Sequence, residues 1–137
     1  MATTVSIPRV SESEKLTINL GYVDLGQVDL LVAEGFYANR SDFIRTAIRN
    51  QLALHGDALR QVVARKMLVL GLQQFSVADL TRAKAAGEKL QIRVLGLASI
   101  APDVPAELAA ETIESITVLG ALHASPAVRA ALAGRIT

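Results

Sequence analysis

The stretch KLTINL, residues 15–20, alternates strictly between polar and apolar side chains. Its polar members are Lys15, Thr17 and Asn19, and its apolar members are Leu16, Ile18 and Leu20. Such alternation predicts a half-buried β-strand, but the next thirty residues follow a helical spacing and offer no neighbouring strand. Because one strand can satisfy neither its backbone nor its apolar face, we expect its partner to come from outside this part of the chain.

Two helices joined by a short turn are predicted after this strand. The first begins near Val23 and stops at Gly35, and the segment GFYANRS connects it to the second. In that segment Asn39 suits a left-handed turn and Ser41 suits a helix N-cap. The second helix carries one apolar face, made of Phe43, Ile44, Ala47, Ile48 and Leu52.

This order, together with LTINL, GFYANRSDFIRTAIRNQL and their spacing, resembles the ribbon-helix-helix family, which includes the CopG, Arc and MetJ repressors. The resemblance covers residues 14–54. It implies an intertwined homodimer, in which two chains pair their strands into an antiparallel two-stranded ribbon. Leu16, Ile18, Leu20, Ile44 and Ile48 would then form the dimer core.

The resemblance also implies which side chains touch DNA. Residues of the outward ribbon face enter the major groove, and these match Lys15, Thr17 and Asn19, all of which can bond base edges. The start of the second helix lies against a phosphate, which implicates Arg40 and Ser41. Arg9 is a further candidate for the flanking backbone, whereas Arg45 and Arg49 are interpreted as surface or intersubunit charges. The alternative is that the polar row is only the solvated side of a strand, and that Ser41 is only a cap.

The second half of the chain contains the tripeptide VLG three times, at residues 69–71, 94–96 and 118–120. Each copy follows a β-like run and precedes a helix-like stretch, opened by Ser76, by Pro105 and by Ser125 with Pro126 respectively. A fixed period of this length is typical of stacked units, here three parallel strands with helical crossovers. Each glycine is expected to let the chain turn as it leaves its strand. Chance recurrence of VLG is the alternative.

The sequence as a whole therefore predicts an α+β protein. We expect a flexible arm over residues 1–13, a ribbon-helix-helix domain over 14–54, a connecting helix over 55–66 and a three-unit β/α domain over 67–137. That last domain is expected to mediate oligomerisation beyond the dimer or to bind an effector.

The composition limits the possible functions. The chain has 137 residues, 51% of them hydrophobic, a net charge of +1 and no cysteine. With two histidines, no clustered carboxylate–histidine pair and no phosphate-binding glycine loop, we expect no enzyme, no metal and no cofactor. No apolar run reaches the roughly 18 residues of a membrane helix, so a soluble cytoplasmic protein is expected.

Three functions remain open. The first is a DNA-binding transcriptional regulator, most simply a repressor. The second is the antitoxin of a toxin–antitoxin pair, although antitoxins usually carry a disordered charged tail. The third is a self-assembling scaffold in which the repeats carry the function and the ribbon serves as a clamp.

Overall fold

The computed structural model describes residues 13–137. Arg9 and nearly all of the predicted flexible arm lie outside the described residues. The elements, in chain order, are α1 (Tyr22–Ala33), α2 (Arg40–Leu54), α3 (Gly56–Arg65), β1 (Val69–Phe75), α4 (Val77–Ala85), β2 (Leu90–Ile100), α5 (Ala106–Thr112), β3 (Ile113–His123), α6 (Pro126–Ala131) and a 3₁₀ turn (Ala133–Arg135). They divide between two compact units, residues 13–62 and 63–137.

The first unit contains α1 and α2. Helix α1 ends at Ala33, just before the predicted stop at Gly35, which adopts a φ of 85°. The amides of Gly35 and Phe36 donate to the carbonyl oxygens of Val32 and Leu31, and this pattern closes the helix end. Residues 13–20 form neither helix nor strand in the single chain. The predicted strand at 15–20 stays a prediction, since its pairing would require a second chain.

The second unit is built on a parallel sheet of three strands in the order β1-β2-β3, which confirms the predicted parallel arrangement. Each strand is followed by one helix or helical segment, giving β1–α4, β2–α5 and β3–α6. Ser76 caps α4, Pro105 precedes α5, and Ser125 with Pro126 opens α6, all as predicted from the sequence.

The role predicted for the three VLG glycines is wrong. Gly71, Gly96 and Gly120 do not end their strands but lie within them, side by side in register. Their φ angles are 123°, 141° and 119°, a region that L side chains rarely adopt. In this conformation a Cβ on Gly96 would overlap the carbonyl oxygen of Gly71, and one on Gly120 would overlap that of Gly96. Glycine is therefore required by the close approach of neighbouring strands as well as by the backbone angle.

The core lies between the sheet and the layer of helices α4, α5 and α6. It is formed by fully or almost fully buried side chains from both layers, namely Leu80, Ile92, Val94, Ala98, Ile100, Val104, Ala109, Ile113, Ile116, Val128 and Leu132. Thr112 is also buried, and its hydroxyl donates to the carbonyl oxygen of Leu108 at 2.7 Å. The described residues leave no buried side-chain polar atom without a partner, as expected of a well-packed interior.

The last residues of the chain lie along β3. Ile136 forms a parallel bridge with Ile116, and the amide of Thr137 donates to the carbonyl oxygen of Ile116 at 2.8 Å. Arg135 donates to the carbonyl oxygens of Ala110 and Ile113 at 2.6 and 2.9 Å, which ties the 3₁₀ turn to the end of α5. The edge of β3 is thus covered near Ile116.

Candidate nucleic-acid interface

The segment that precedes α1 exposes both of its rows of side chains. Lys15, Thr17 and Asn19 are exposed, as expected for residues that would face a groove. The apolar row is exposed as well, with 79%, 61% and 42% of the surface of Leu16, Ile18 and Leu20 accessible in the single chain. Three apolar side chains in alternate positions thus stay largely accessible in the single chain, which is an unfavourable arrangement in water.

The two helices behind this segment have little core between them. Val28 on α1 is the one buried residue of residues 13–62. Ile44 is half-buried, whereas Ile48 and Leu52 on the same apolar face of α2 are more than half exposed. Two helices with one buried side chain lack the apolar burial that an isolated domain needs. This unit therefore needs a further apolar surface to fold stably.

Helix α2 begins two residues earlier than the sequence predicted, and its cap is a different residue. Asn39 is the N-cap, in an extended rather than left-handed conformation, and its side chain accepts from the amide of Asp42 at 2.8 Å. The Asp42 carboxylate in turn accepts from the amide of Ala38 at 3.0 Å. Ser41 lies in the first turn, so the interpretation of Ser41 as N-cap is wrong. The spacing Asn39-x-x-Asp42, which resembles a capping box, was the signal that could have identified the cap.

The first turn of α2 keeps amide groups available. The first N–H groups of a helix have no acceptor within the helix. In α2 the N–H of Asp42 donates to the side chain of Asn39. The amides of Arg40 and Ser41 stand at the same helix end, where the helix dipole favours an anion. Ser41 is exposed, so its hydroxyl is open to solvent.

Arg40 is held by a carboxylate of α1. Its Nε and Nη2 donate to Oδ1 and Oδ2 of Asp29 at 2.7 and 2.8 Å. The hydrogen bond and charge of Arg40 lower the pKa of Asp29, and Asp29 raises the pKa of Arg40. Both side chains are about half exposed, so the pair joins the two helices at the surface. No sequence pattern indicates this pair, because the partners are 11 residues apart, beyond any helical spacing.

Neither a cluster of metal-binding side chains nor a helix suited to span a membrane occurs in the described part of the chain. Within residues 13–137, no group of three or more His, Cys, Asp or Glu side chains is arranged to hold a metal ion. In the same range, no helix is both long and apolar enough to cross a membrane.

Comparison with known proteins identifies the family. A family model described as the ribbon-helix-helix transcriptional regulator family matches residues 11–129. The match therefore extends far beyond residues 14–54, and most of the parallel-sheet unit is included in it. No curated protein and no solved structure matched the chain. With the family model covering well over half of its length, the chain belongs to the ribbon-helix-helix transcriptional regulators, a family of DNA-binding proteins.

Proposed function

We propose that this regulator is a repressor that binds the major groove of DNA as a homodimer. Residues 15–20 of two chains pair as an antiparallel ribbon, with Leu16, Ile18 and Leu20 on the inner face. Lys15, Thr17 and Asn19 then point outward to base edges, in a groove wide enough for a two-stranded ribbon. The protein works in the cytoplasm, without a cofactor and without catalysis.

The observation that carries this proposal is the combination of an exposed apolar row with an almost coreless pair of helices. Leu16, Ile18 and Leu20 are exposed in the single chain, and residues 13–62 bury only Val28. A second copy supplies the same row and the same apolar face of α2, including Ile44 and Ile48. Pairing of the two copies removes all of these side chains from water together, and the folded state then depends on association.

The first residues of α2 would make the phosphate contacts. The amides of Arg40 and Ser41 and the Ser41 hydroxyl form the anion-binding end of the helix. Arg40 adds a positive charge there, partly neutralised by Asp29. Because these contacts involve few cations, affinity for non-specific DNA should be modest and should fall steeply with salt.

A folded second unit favours the repressor over the antitoxin. An antitoxin tail that folds on its toxin is usually disordered and charged when free. Residues 63–137 instead hold a parallel sheet with a buried core. The scaffold alternative is tested by assembly: filaments that form with increasing concentration and ignore DNA would favour it.

The deciding experiment is selection of bound fragments from genomic DNA by the purified full-length protein. A regulator enriches a small set of sites that share a sequence, each containing two related half-sites. The Thr17→Ala/Asn19→Ala double variant, which alters only the outward face, should lose this enrichment. Recovery of DNA without a common sequence by both proteins would contradict sequence-specific regulation.

A further inference from the structure

Among residues 63–137, the helices of the second unit cover only one of the two faces of its sheet. In a strand successive side chains point to opposite faces, and Val94 and Ala98 of β2 point into the core below the helices. Leu95 and Leu97 therefore point to the other side. Their register partners complete two apolar rows beside the glycines, Leu70–Leu95–Leu119 and Leu72–Leu97–Ala121. We call these six side chains the outer face.

The outer face is accessible in the single chain. Leu70 is 74% exposed and Leu119 is 52% exposed, and they lie at the two ends of the same row. Sheets made entirely of parallel strands are almost always covered on both faces, because their strands are apolar on both sides. Here helices cover only the core side. The outer face therefore has the composition of a buried surface, but the described part of the second unit supplies no layer that buries it.

The charge of the outer face permits contact with an identical surface. The six side chains of the two rows are uncharged. The nearest cation along β2 is Arg93, whose Nη1 is turned to the carbonyl oxygen of Lys66 at 3.4 Å and whose Nη2 lies 3.5 Å from the side chain of Gln91. The six side chains themselves therefore place no like charges opposite each other when two such faces meet, a repulsion that would otherwise oppose self-association.

The size of the outer face indicates what kind of contact it can make. The two rows span three strands about 4.8 Å apart and about four residues of each strand at 3.3 Å each, which gives a surface of roughly 200 Å². A stable complex between free proteins usually buries about 800 Å² on each partner, so this face is too small to hold an independent partner by itself. It is large enough for two chains already joined elsewhere, since a link raises their local concentration to the millimolar range.

We propose that the outer face packs against the outer face of a second copy of this chain, sheet on sheet. This inference rests on the proposed function, because the ribbon that joins two chains supplies the link. The contact is isologous: the rows of Leu70, Leu95 and Leu119 in one copy meet the same rows in its partner, with the two sheets about 10 Å apart. The second unit is thereby an assembly domain of the regulator.

Cross-linking of single cysteines tests the contact directly, because the natural chain contains none. Leu95→Cys places a thiol in the central strand of the outer face, and Ala130→Cys places one on the exposed surface of α6 as the matched control. Each full-length protein is treated with a short bis-maleimide that spans about the distance between two packed sheets. We expect the cross-linked fraction of Leu95→Cys to be roughly ten times that of Ala130→Cys. Adding Leu119→Glu to Leu95→Cys should reduce it to the control level, because two carboxylates would be buried face to face.

Two results would overturn the inference. If Leu95→Cys stays uncross-linked but reacts with a single maleimide, the outer face is free in solution. If it is unreactive and uncross-linked, another part of the same chain covers the face. Measuring the mass of Ile18→Asp in solution as well distinguishes failure of the outer-face contact from failure of the proposed ribbon. Loss of the dimer in Ile18→Asp, combined with no cross-link in Leu95→Cys, supports the ribbon and rejects the outer-face contact. An unchanged mass in Ile18→Asp with an intact cross-link rejects the ribbon instead.

Discussion

Arg40 and Asp29 form a two-bond ion pair between the start of α2 and the middle of α1. The pair fixes the guanidinium at the same helix end that we propose as a phosphate site. A carboxylate next to a phosphate site opposes the anion, while it also orients the arginine that would meet it. Affinity for DNA is therefore expected to depend on Asp29, although Asp29 is not among the proposed DNA contacts.

Substitution of Asp29 by Asn should strengthen binding to DNA at low salt. The variant removes a negative charge and releases the guanidinium of Arg40, so one more cation can pair with a phosphate. The slope of log K against log salt should then become steeper by up to about 0.9. Fluorescence anisotropy on operator and unrelated duplexes measures this. Arg40→Gln is the control and should change the slope in the opposite direction; equal slopes in all three proteins would exclude Arg40 from the interface.

Thr17→Ala and Asn19→Ala should each weaken specific binding by about 1–3 kcal/mol per half-site while leaving the oligomer intact. Both side chains are exposed before α1, so their removal costs no core packing. Competition titrations with operator and non-operator DNA separate base contacts from phosphate contacts. Unchanged operator affinity in both variants would show that the assignment of the outward face is wrong.

Ile18→Asp should abolish the dimer, because it places an unpaired charge in the shared apolar core. Light scattering coupled to size-exclusion chromatography reports the mass, and circular dichroism reports the helix content. Thr17→Asp introduces the same charge one residue away, on the opposite row, and should remain dimeric while losing DNA. A stable dimer of Ile18→Asp would refute the proposed pairing.

Gly96→Ala should destabilise the second unit more than Gly71→Ala does. Both positions have φ angles that cost a non-glycine residue about 1–3 kcal/mol. At Gly96 the new Cβ would also overlap the backbone of Gly71, whereas at Gly71 no atom lies within 4 Å of the added Cβ. Gly134→Ala, which meets neither obstacle, is the control. Thermal unfolding followed by circular dichroism gives the order of stability of the three variants. Equal unfolding midpoints for Gly96→Ala and the control would contradict the close approach of Gly96 to the backbone of Gly71.

The cap of α4 should make stability depend on pH in the acid range. The amide and hydroxyl of Ser76 hold the pKa of Asp79 below its usual value, with a smaller contribution from Arg82. Because the pKa is lower in the folded state, this stabilisation is present above the unfolded value of about 3.9 and is lost as the pH falls through the folded pKa. Denaturant unfolding between neutral pH and pH 3 should show a smaller acid loss for Asp79→Asn than for the natural protein. If the free energy of unfolding falls equally with pH in both proteins, the Asp79 carboxylate does not cause the acid loss.

Local signals in the sequence predicted much of the fold. The caps at Ser76 and Ser125 and the stop at Gly35 are decided by neighbouring residues, so they could be read directly. The parallel sheet followed from the spacing of the three VLG copies. The ends of the strands did not follow from that spacing. Strand β1 continues to Phe75, four residues past Gly71, the predicted end. A glycine in a turn and a glycine that admits a neighbouring backbone look identical in one sequence.

The candidate site was predictable only in part. The alternating residues 15–20 and the family resemblance select the outward side chains, and the family model confirms the family. The partner of Arg40 was not predictable, because Asp29 reaches it through the packing of two helices and not through a periodic spacing. Asn39 suits a turn as well as a helix cap, and which of the two it forms depends on whether its side chain meets the amide of Asp42.

The bridge between Ile136 and Ile116 has a consequence for the size of any assembly. A sheet can grow without limit by adding strands only if both of its edge strands stay unpaired. Here Ile136 and Thr137 already bond to part of the edge strand β3. A strand from another copy therefore cannot extend the sheet along β3 near Ile116.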